Sequence, residues 1–257
     1  MYIDVHCHLN DKEYGSISAL INRCADAGVE RIITVGFDLP SSYQAAEYAE
    51  KYEQVYFTAG FHPTELTNFK FGYLNEISEL CSHKKCVAVG EIGLDYHYPD
   101  TNKALQKEVF IAQLLLADEL NLPVEIHSRD CAEDTLSILK DNRGLLNCGA
   151  LMHCYSHSTE MAEEFLKLGL SFSFGGACTW KGAKKAKRTI ERLPIDKILT
   201  ETDSPYMPPA SRYGAFPNTP ESIPEICAYV AEIKGVTAEN MAEIALKNAK
   251  KLFKKLG

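Results

Sequence analysis

The chain has 257 residues, of which 46% are hydrophobic and 24% are charged, and its formal net charge is −8 at pH 7. This length fits one large α/β barrel or two small domains, and no apolar run approaches the roughly 18 residues of a transmembrane helix. The acidic balance excludes nucleic-acid binding through a wholly basic surface, although divalent cations would supply positive charge where a phosphate must lie. Nine scattered cysteines without a CxxC pair, and no signal-peptide pattern before the first strand, favour a cytoplasmic protein.

Short runs rich in Val, Ile, Leu and Phe recur at intervals of roughly 30 residues and predict about eight strands. They are Tyr2–His6, Arg31–Val35, Val55–Gly60, Cys86–Glu91, Pro123–His127, Ala150–His153, Leu170–Phe174 and Lys197–Glu201. The runs are nearly continuous in hydrophobicity, as expected for parallel strands that are covered on both sides.

Apolar residues at helical spacing lie between these runs and predict amphipathic helices. Examples are Ser16–Ala27, Lys103–Leu120 and Thr159–Leu168, and two more helices, Glu221–Lys234 and Ala238–Leu256, follow the last strand. The alternation predicts an α/β protein in which residues 1–257 form a single (β/α)8 TIM barrel with an additional C-terminal helix. A doubly wound open sheet is the main alternative.

Histidines and carboxylates follow the predicted strands at the points where the strands end. They are His6 and His8, His62, Glu91 and Asp95, His127, His153, and Glu201 and Asp203. Because the chemistry of such barrels lies at the carboxyl ends of the strands, these side chains are expected to share one site.

The pair His6 and His8 points most directly to a metal. Residues two apart in a strand share one face, and leaving buried polar groups unpaired costs about 1–3 kcal/mol each. Coordination of a cation satisfies both rings at once. A lone histidine at a strand end is more often a hydrogen-bonded core or loop residue, which is the interpretation favoured for His97 and His157.

The full set of candidate ligands is large enough for two cations that keep open coordination positions. Its members are His6, His8, Glu91, His127, His153 and Asp203. A carboxylate such as Glu91 can bridge two ions, and mixed N/O ligation suits Zn²⁺, Mn²⁺, Ni²⁺ or Fe²⁺ better than Mg²⁺. We expect Glu91 and Asp203 to be catalytic, with Asp203 serving both as a ligand and as the acceptor of a proton from the attacking water.

The same stretches resemble a known family. The motifs "DVHCHL", "GFHP", "GEIGLDY", "IHSRD", "HCYS" and "ETDSPY" are similar to the signature motifs of the TatD metal-dependent deoxyribonucleases, members of the amidohydrolase-like TIM-barrel superfamily. The resemblance extends from Tyr2 to about Phe253. It implies that His6, His8 and Asp203 hold one cation, that His127 and His153 hold the other, and that Glu91 bridges them. It also implies hydrolysis of DNA, commonly as a 3′–5′ exonuclease, and we expect a monomer that acts on single-stranded DNA without a membrane partner.

Four further residues are predicted to contact the substrate: His62, Arg129, Arg212 and Tyr206. The guanidinium of Arg129 could fork onto a phosphate, or it could form an ion pair with Asp130 or Glu133. Tyr206 and Trp180 are candidates for stacking on a base, although packing under a loop is the favoured interpretation for both. The basic stretch 181–192 could guide a phosphate backbone, but a solvated helix face is favoured.

The segment after "ETDSPY" departs from the family pattern. The family usually carries Arg-Gly-Lys followed by Asn-x-Pro, whereas "MPPASRYGAFPNTP" keeps Asn218 and Pro220, lacks the lysine and places Tyr213 between Arg212 and Gly214. Residues 205–220 are expected to form a wall of the substrate groove. This departure leaves an alternative function open, a metal-dependent amide or ester hydrolase such as a deacylase, while the intact ligand set argues against a non-catalytic binding protein.

Overall fold

Eight strands form one parallel sheet in the computed structural model, which describes residues 1–256. The strands are β1 Tyr2–Cys7, β2 Val29–Val35, β3 Val55–Ala59, β4 Cys86–Asp95, β5 Val124–Arg129, β6 Ala150–Met152, β7 Ser171–Phe174 and β8 Ile198–Thr200. Their order in the sheet is the order in the chain, from β1 to β8, so each strand pairs with its neighbours in sequence. A doubly wound sheet would change direction at a switch point, so this order confirms the predicted barrel and excludes that alternative.

The barrel is closed just beyond the last strand by two backbone hydrogen bonds. The N–H of Asp203 donates to the carbonyl oxygen of His6 over 2.9 Å, and the N–H of His8 donates to the carbonyl oxygen of Ser204 over 2.8 Å. The segment after β8 therefore continues alongside β1. It places the predicted ligand Asp203 at the carboxyl end of the barrel, beside His6 and His8.

Nine α-helices occur within residues 1–256. They are α1 Ile17–Asp26, α2 Leu39–Lys51, α3 Tyr73–Cys81, α4 Lys103–Glu119, α5 Ala132–Asp141, α6 Thr159–Lys167, α7 Lys184–Arg192, α8 Ile223–Lys234 and α9 Ala238–Leu252. Seven of them separate consecutive strands, and α8 and α9 follow β8, so the predicted additional helix is present. Across the described part of the chain, the length and apolar character that a membrane-crossing helix requires are not found together in any helix.

The strands have a hydrophobic core on each of their two faces. The larger lies between the strands and the helices, and the smaller gathers inward-facing side chains of β1, β2, β4, β6 and β8 against the end of α9. In the smaller core, Leu252, Phe253 and Leu256 pack against strand residues such as Val5 and Leu199. Apolar side chains therefore fill one end of the barrel, and the polar site is confined to the other.

The last helix ends earlier than the sequence predicted. The α-helix stops at Leu252 rather than Leu256, and a 3-10 turn follows at Lys254–Leu256. The reason lies in the smaller core, because Phe253 leaves helical geometry and is fully buried beneath the strands together with Leu256. The side chain of Lys255 then donates to the carbonyl oxygens of Cys81 and His83, which holds this turn across the end of the barrel.

The first strand is irregular at the level of the site. Its pairing with β2 shifts register between Asp4 and Cys7, and Val5 packs in the smaller core whereas Cys7 packs in the larger one. Residues two apart normally share a face, so the alternation is broken here by a bulge. The break lets the ring of His6 enter the polar end of the barrel directly above a buried valine.

Candidate metal centre

Imidazoles from opposite sides of the barrel meet in one cluster at the carboxyl ends of the strands. Nε2 of His6 lies 3.2 Å from Nε2 of His8 and 3.5 Å from Oδ1 of Asp203. Across the cluster, Nδ1 of His127 lies 3.2 Å from Nε2 of His153. The structure thus brings together five of the six predicted ligands, from the carboxyl ends of β1, β5 and β6 and from the segment after β8.

The sixth, Glu91, lies between the two groups. Its Oε2 is 3.6 Å from Nε2 of His6 and 3.8 Å from Nε2 of His8. Its Oε1 is 2.9 Å from Nδ1 of His127 and 2.7 Å from Nε2 of His153. Each carboxylate oxygen faces a different pair of histidines, which is the placement that a bridging ligand requires.

The surroundings of Glu91 keep it ionised. Burial alone would raise its pKa, but the histidines around it, with His153 and His62 foremost, hold the pKa well below its ordinary value. A buried anion among neutral or cationic rings is stable only while those partners remain. The same negative charge would attract divalent cations to this position.

Two glycines in the "GEIGLD" stretch let β4 approach β5 closely enough to place this carboxylate. Gly93 has a φ of +140°, and a Cβ there would lie 2.0 Å from the carbonyl oxygen of His127. A Cβ at Gly90 would lie 2.7 Å from Cβ of Glu125. Any side chain at either position would separate the strands, so the motif reflects close packing as well as chemistry.

The rings from β1 are held from behind by oxygen atoms. Nδ1 of His6 lies 2.7 Å from Oε1 of Glu125, and both side chains are fully buried. Nδ1 of His8 lies 3.3 Å from the carbonyl oxygen of Val35. These contacts turn Nε2 of each ring toward the centre and fix which nitrogen carries the proton.

The rings from β5 and β6 also face carboxylates. Nε2 of His127 lies 3.0 Å from Oδ2 of Asp95, the last residue of β4. Nδ1 of His153 lies 3.8 Å from Oε1 of Glu201, a separation longer than a hydrogen bond, and neither atom has another partner in the structure. Burial raises the pKa of Glu201 to about 7.

Sequence reasoning noted Asp95 and Glu201 only as strand-end residues and missed Glu125 altogether. A signal for Glu125 was present, because it lies two residues before His127 within β5 and therefore on the same face of the strand. A carboxylate in the middle of an otherwise apolar strand, facing the same way as a predicted ligand, is a candidate for supporting that ligand or its neighbours.

The chemistry of this donor set fits divalent cations. Ligand atoms of His6, His8 and Asp203 lie within 4.8 Å of one another, and so do those of Glu91, His127 and His153. Burial and the neighbouring His153 lower the pKa of His6, so its ring is neutral and offers a lone pair. Two neighbouring groups of mixed nitrogen and oxygen donors suit the first-row divalent metals better than Ca²⁺ or Mg²⁺.

Binding of a cation at this centre would displace protons. Burial lowers the pKa of His127, but hydrogen bonds with Asp95 and Glu91 outweigh it and raise the pKa to about 9. Without a cation, this ring therefore carries a proton at neutral pH. Metal affinity is expected to increase with pH, because the proton must leave before the nitrogen can coordinate.

A pocket of about 310 Å³, the central pocket, opens onto the cluster. His62, Arg129 and Tyr206 line it together with all the candidate ligands except the fully buried His6. Nε2 of His62 lies 3.5 Å from Oε1 of Glu91, and burial together with the neighbouring His127 lowers the pKa of His62 to about 3. The hydroxyl of Tyr206 donates to Oδ2 of Asp11 over 3.0 Å. Three of the four predicted substrate residues are therefore at the mouth of the site.

The fourth, Arg212, does not line the central pocket. It is exposed in a 3-10 turn at Ala210–Arg212, and its role in substrate binding stays a prediction. Trp180 packs under the same loop, since its Nε1 donates to the carbonyl oxygen of Pro208 over 2.8 Å. Arg129 is exposed and, within residues 1–256, forms no ion pair with Asp130 or Glu133.

Comparison with known sequences decides the family. The sequence profile described as "TatD related DNase" matches residues 3–254. The chain belongs to the TatD family. It is 42% identical over 255 residues, covering 99% of both chains, to the uncharacterized metal-dependent hydrolase YabD of Bacillus subtilis (strain 168). It is also 32% identical to the uncharacterized metal-dependent hydrolase YcfH of Escherichia coli (strain K12), covering 98% of this chain and 95% of the relative.

A solved structure from the same family has the same fold. The crystal structure of YjjV, the TatD homologue from Escherichia coli K12, superposes with a TM-score of 0.92 at 33% identity and covers 98% of each chain. The resemblance to the TatD family that the motifs indicated is thereby confirmed over nearly the whole chain. The protein is a metal-dependent hydrolase of the TatD family.

Proposed function

We propose that this TatD-family hydrolase cleaves phosphodiester bonds of single-stranded DNA with two divalent cations, as a 3′–5′ exonuclease. The observation that carries the proposal is the position of Glu91, whose two carboxylate oxygens face two separate groups of ligands. Such an arrangement would hold two cations side by side, as two-metal hydrolases of phosphate esters do. The family profile, described as a DNase, supports the choice of substrate.

The proposed ligands divide between the two cations according to their distances. His6, His8 and Asp203 would hold one, and His127 and His153 the other, with Glu91 between them. Bound there, the cations would neutralise the charge of the phosphate and lower the pKa of an attacking water. Zn²⁺, Mn²⁺, Ni²⁺ or Fe²⁺ suits this mixture of donors, and Mg²⁺ suits it less well.

Asp203 is proposed to take the proton from the attacking water. Its carboxylate lines the central pocket and has 12% of its side chain exposed, so it is accessible to solvent from inside the site. Oδ1 lies 3.4 Å from Nε2 of His8 and 3.5 Å from Nε2 of His6. The second oxygen is available for proton transfer while the first remains with the ligand group.

The pocket supplies further contacts for a phosphodiester. The exposed guanidinium of Arg129 can fork onto a non-bridging phosphate oxygen, and Nε2 of His62 points toward the same region beside Glu91. Tyr206, with 49% of its surface exposed, offers a ring face at the mouth. Arg129 is proposed to position the phosphate, and Tyr206 to contact a base.

The decisive experiment uses single-stranded DNA labelled at the 5′ end in one sample and at the 3′ end in another. After reloading with Mn²⁺ or Zn²⁺, the protein is expected to shorten the first substrate progressively and to release labelled mononucleotide from the second. Chelator should stop both reactions, and Glu91→Gln, which keeps the shape but removes the bridging charge, should reduce both strongly. DNA that stays intact with fully reloaded protein would refute the proposal.

A second candidate is the amide or ester hydrolase, and one observation favours it. Among the described residues that line the central pocket, Arg129 is the only lysine or arginine, whereas five are carboxylates. A long polyanion would meet considerable negative charge there until both cations are bound. Turnover of acyl esters or N-acyl amino acids by the same reloaded protein, together with inert DNA, would select this second function.

A further inference from the structure

Two cavities adjoin the central pocket, and their linings differ in charge. The first, of about 660 Å³, shares Arg129 with the central pocket and extends to Lys185 on α7, and it is called here the Lys185 cavity. The second, of about 380 Å³, shares Thr64 and Tyr98 with the central pocket and is called the Tyr98 cavity. Each cavity offers a substrate longer than one nucleotide a route away from the metal centre.

The Lys185 cavity offers two free cations. Of the carboxylates that line it, Asp134 forms an ion pair with Lys107 over 2.7 Å, and Asp130 lies 3.2 Å from Nδ1 of His97. Within residues 1–256, neither Arg129 nor Lys185 takes part in an ion pair, and Glu133 is the one lining carboxylate that also has none. The cavity therefore presents the two positive charges of Arg129 and Lys185 without an ion-pair partner, beside the carboxylates of Asp130 and Glu133.

Lys185 differs from the other basic residues of its helix. Arg188 pairs with Glu160 over 3.2 Å and Arg192 pairs with Glu163 over 3.0 Å, so these two charges are directed toward α6. The exposed Lys187 lines none of the three cavities. The predicted solvated helix face accounts for most of the stretch 181–192, and Lys185 is the member that reaches the substrate side.

The Tyr98 cavity has the opposite character. Its lining contains no lysine, arginine or histidine among the described residues, and its one carboxylate is Asp100. Tyr98 has 53% of its surface exposed and offers a ring face, while Thr64, Thr67 and Asn102 offer hydroxyl and amide groups. Such a lining suits an uncharged nucleoside, with its base stacked on the tyrosine, better than another phosphate.

We propose that a single strand crosses the site in one direction, with its terminal nucleoside in the Tyr98 cavity and its remaining phosphates along Arg129 and Lys185. This inference rests on the proposed cleavage of DNA and assigns the two sides of the substrate. The scissile phosphate lies in the central pocket between the two cavities. An exonuclease substrate has this asymmetry, because one side of the scissile bond ends in a nucleoside while the other continues as a polyanion.

The proposed course of the single-stranded DNA, called here the strand path, predicts a measurable dependence of DNA affinity on salt concentration. Each phosphate contact on a single strand contributes about 0.7 to the slope of log K against log salt concentration. Extrapolated from 1 M to 50 mM salt, one contact corresponds to about an eightfold change in affinity. Lys185→Ala should therefore reduce the salt slope by about 0.7 and weaken binding of a long strand about eightfold at 50 mM salt.

The test measures binding of a ten-residue oligothymidylate, with phosphorothioate linkages to slow its turnover, to the full-length protein reloaded with Mn²⁺. Lys187→Ala is the matched control, because it removes the same charge from the same helix outside the cavities. Support requires a lower slope in Lys185→Ala and a slope like that of the unsubstituted protein in Lys187→Ala. Equal slopes in both variants, or no binding by the unsubstituted protein, would overturn the strand path.

A second measurement follows cleavage with metal and compares oligothymidylates of two and of ten residues. Lys185→Ala should raise KM for the longer strand and leave KM for the dinucleotide unchanged, since a dinucleotide has no phosphate beyond the scissile one. If Lys185→Ala cleaves the longer strand with the same KM as the unsubstituted protein, the strand path is refuted while the proposed cleavage stands. Binding that depends on Lys185 without any hydrolysis would refute the proposed cleavage alone.

The Tyr98 end is tested with a strand whose 3′ terminal residue lacks its base. Stacking contributes about 1–3 kcal/mol per base, so loss of the base should weaken binding to the unsubstituted protein by at least about fivefold. Tyr98→Ala should bind both strands alike. Tyr43→Ala, a substitution of an exposed tyrosine on α2, should behave as the unsubstituted protein does. A base effect that persists in Tyr98→Ala would overturn this assignment.

Discussion

Replacement of Glu125 by alanine tests how the metal centre is built. Nδ1 of His6 lies 2.7 Å from Oε1 of Glu125, and both side chains are fully buried. Burial raises the pKa of Glu125 well above its ordinary value, and the nearby carboxylates of Glu201 and Glu91 raise it further. Burial therefore favours the protonated form of Glu125, and its value to His6 is the oxygen atom that fixes the ring.

The expected magnitude follows from that geometry. Removal of an oxygen that orients a metal-binding histidine typically lowers metal affinity about 10–100-fold, which corresponds to about 1.4–2.7 kcal/mol. Alanine would also leave Nδ1 of His6 buried without a partner, at a cost of about 1–3 kcal/mol to stability. Glu125→Gln keeps an oxygen in place and should retain most of the affinity, because the amide resembles the neutral acid.

The assay is competition for Zn²⁺ or Mn²⁺ against a chromophoric chelator, with a melting curve on the same preparations. We expect Glu125→Ala to weaken the site that contains His6 and to leave the site of His127 and His153 nearly unchanged. The glutamine variant controls for loss of volume. An alanine variant that binds both cations within twofold of the unsubstituted protein would refute the reasoning that Glu125 orients His6.

Substitutions at three other positions give equally definite expectations. Asp203→Asn should lower kcat at saturating metal by about 10²-fold or more, since it removes the proposed proton acceptor; a near-normal kcat with intact folding would reject that role. Arg129→Ala should raise KM for single-stranded DNA by about tenfold without changing metal content, and Arg129→Lys should recover only part of the loss because lysine has no fork. Phe253→Ala should lower the free energy of unfolding by about 3–5 kcal/mol in denaturant titrations, since this ring is fully buried at the closed end of the barrel; a change under 1 kcal/mol would contradict the assignment of that core.

The sequence alone determined the alternation of strands and helices and the residues that end the strands. Periodicity is a local property, because a strand repeats every two residues and a helix every 3.6, and it survives in the order of residues without knowledge of their neighbours. The same local rule placed His6 and His8 on one face, and their Nε2 atoms are 3.2 Å apart. The barrel rule then placed the remaining strand-end residues at the same rim.

Tertiary structure alone decided which groups support those residues. Glu125 meets His6 across 119 positions of sequence, a pairing fixed by the closure of eight strands rather than by spacing along the chain. The same holds for Lys185. Both Lys185 and Lys187 are lysines on α7, but only Lys185 lines the Lys185 cavity. Contacts of this kind depend on where whole elements pack, and packing is set by the sum of many distant side chains. The candidate ligands could therefore be predicted from the order of residues, whereas their supporting contacts, and the path proposed for a substrate, depend on the folded molecule.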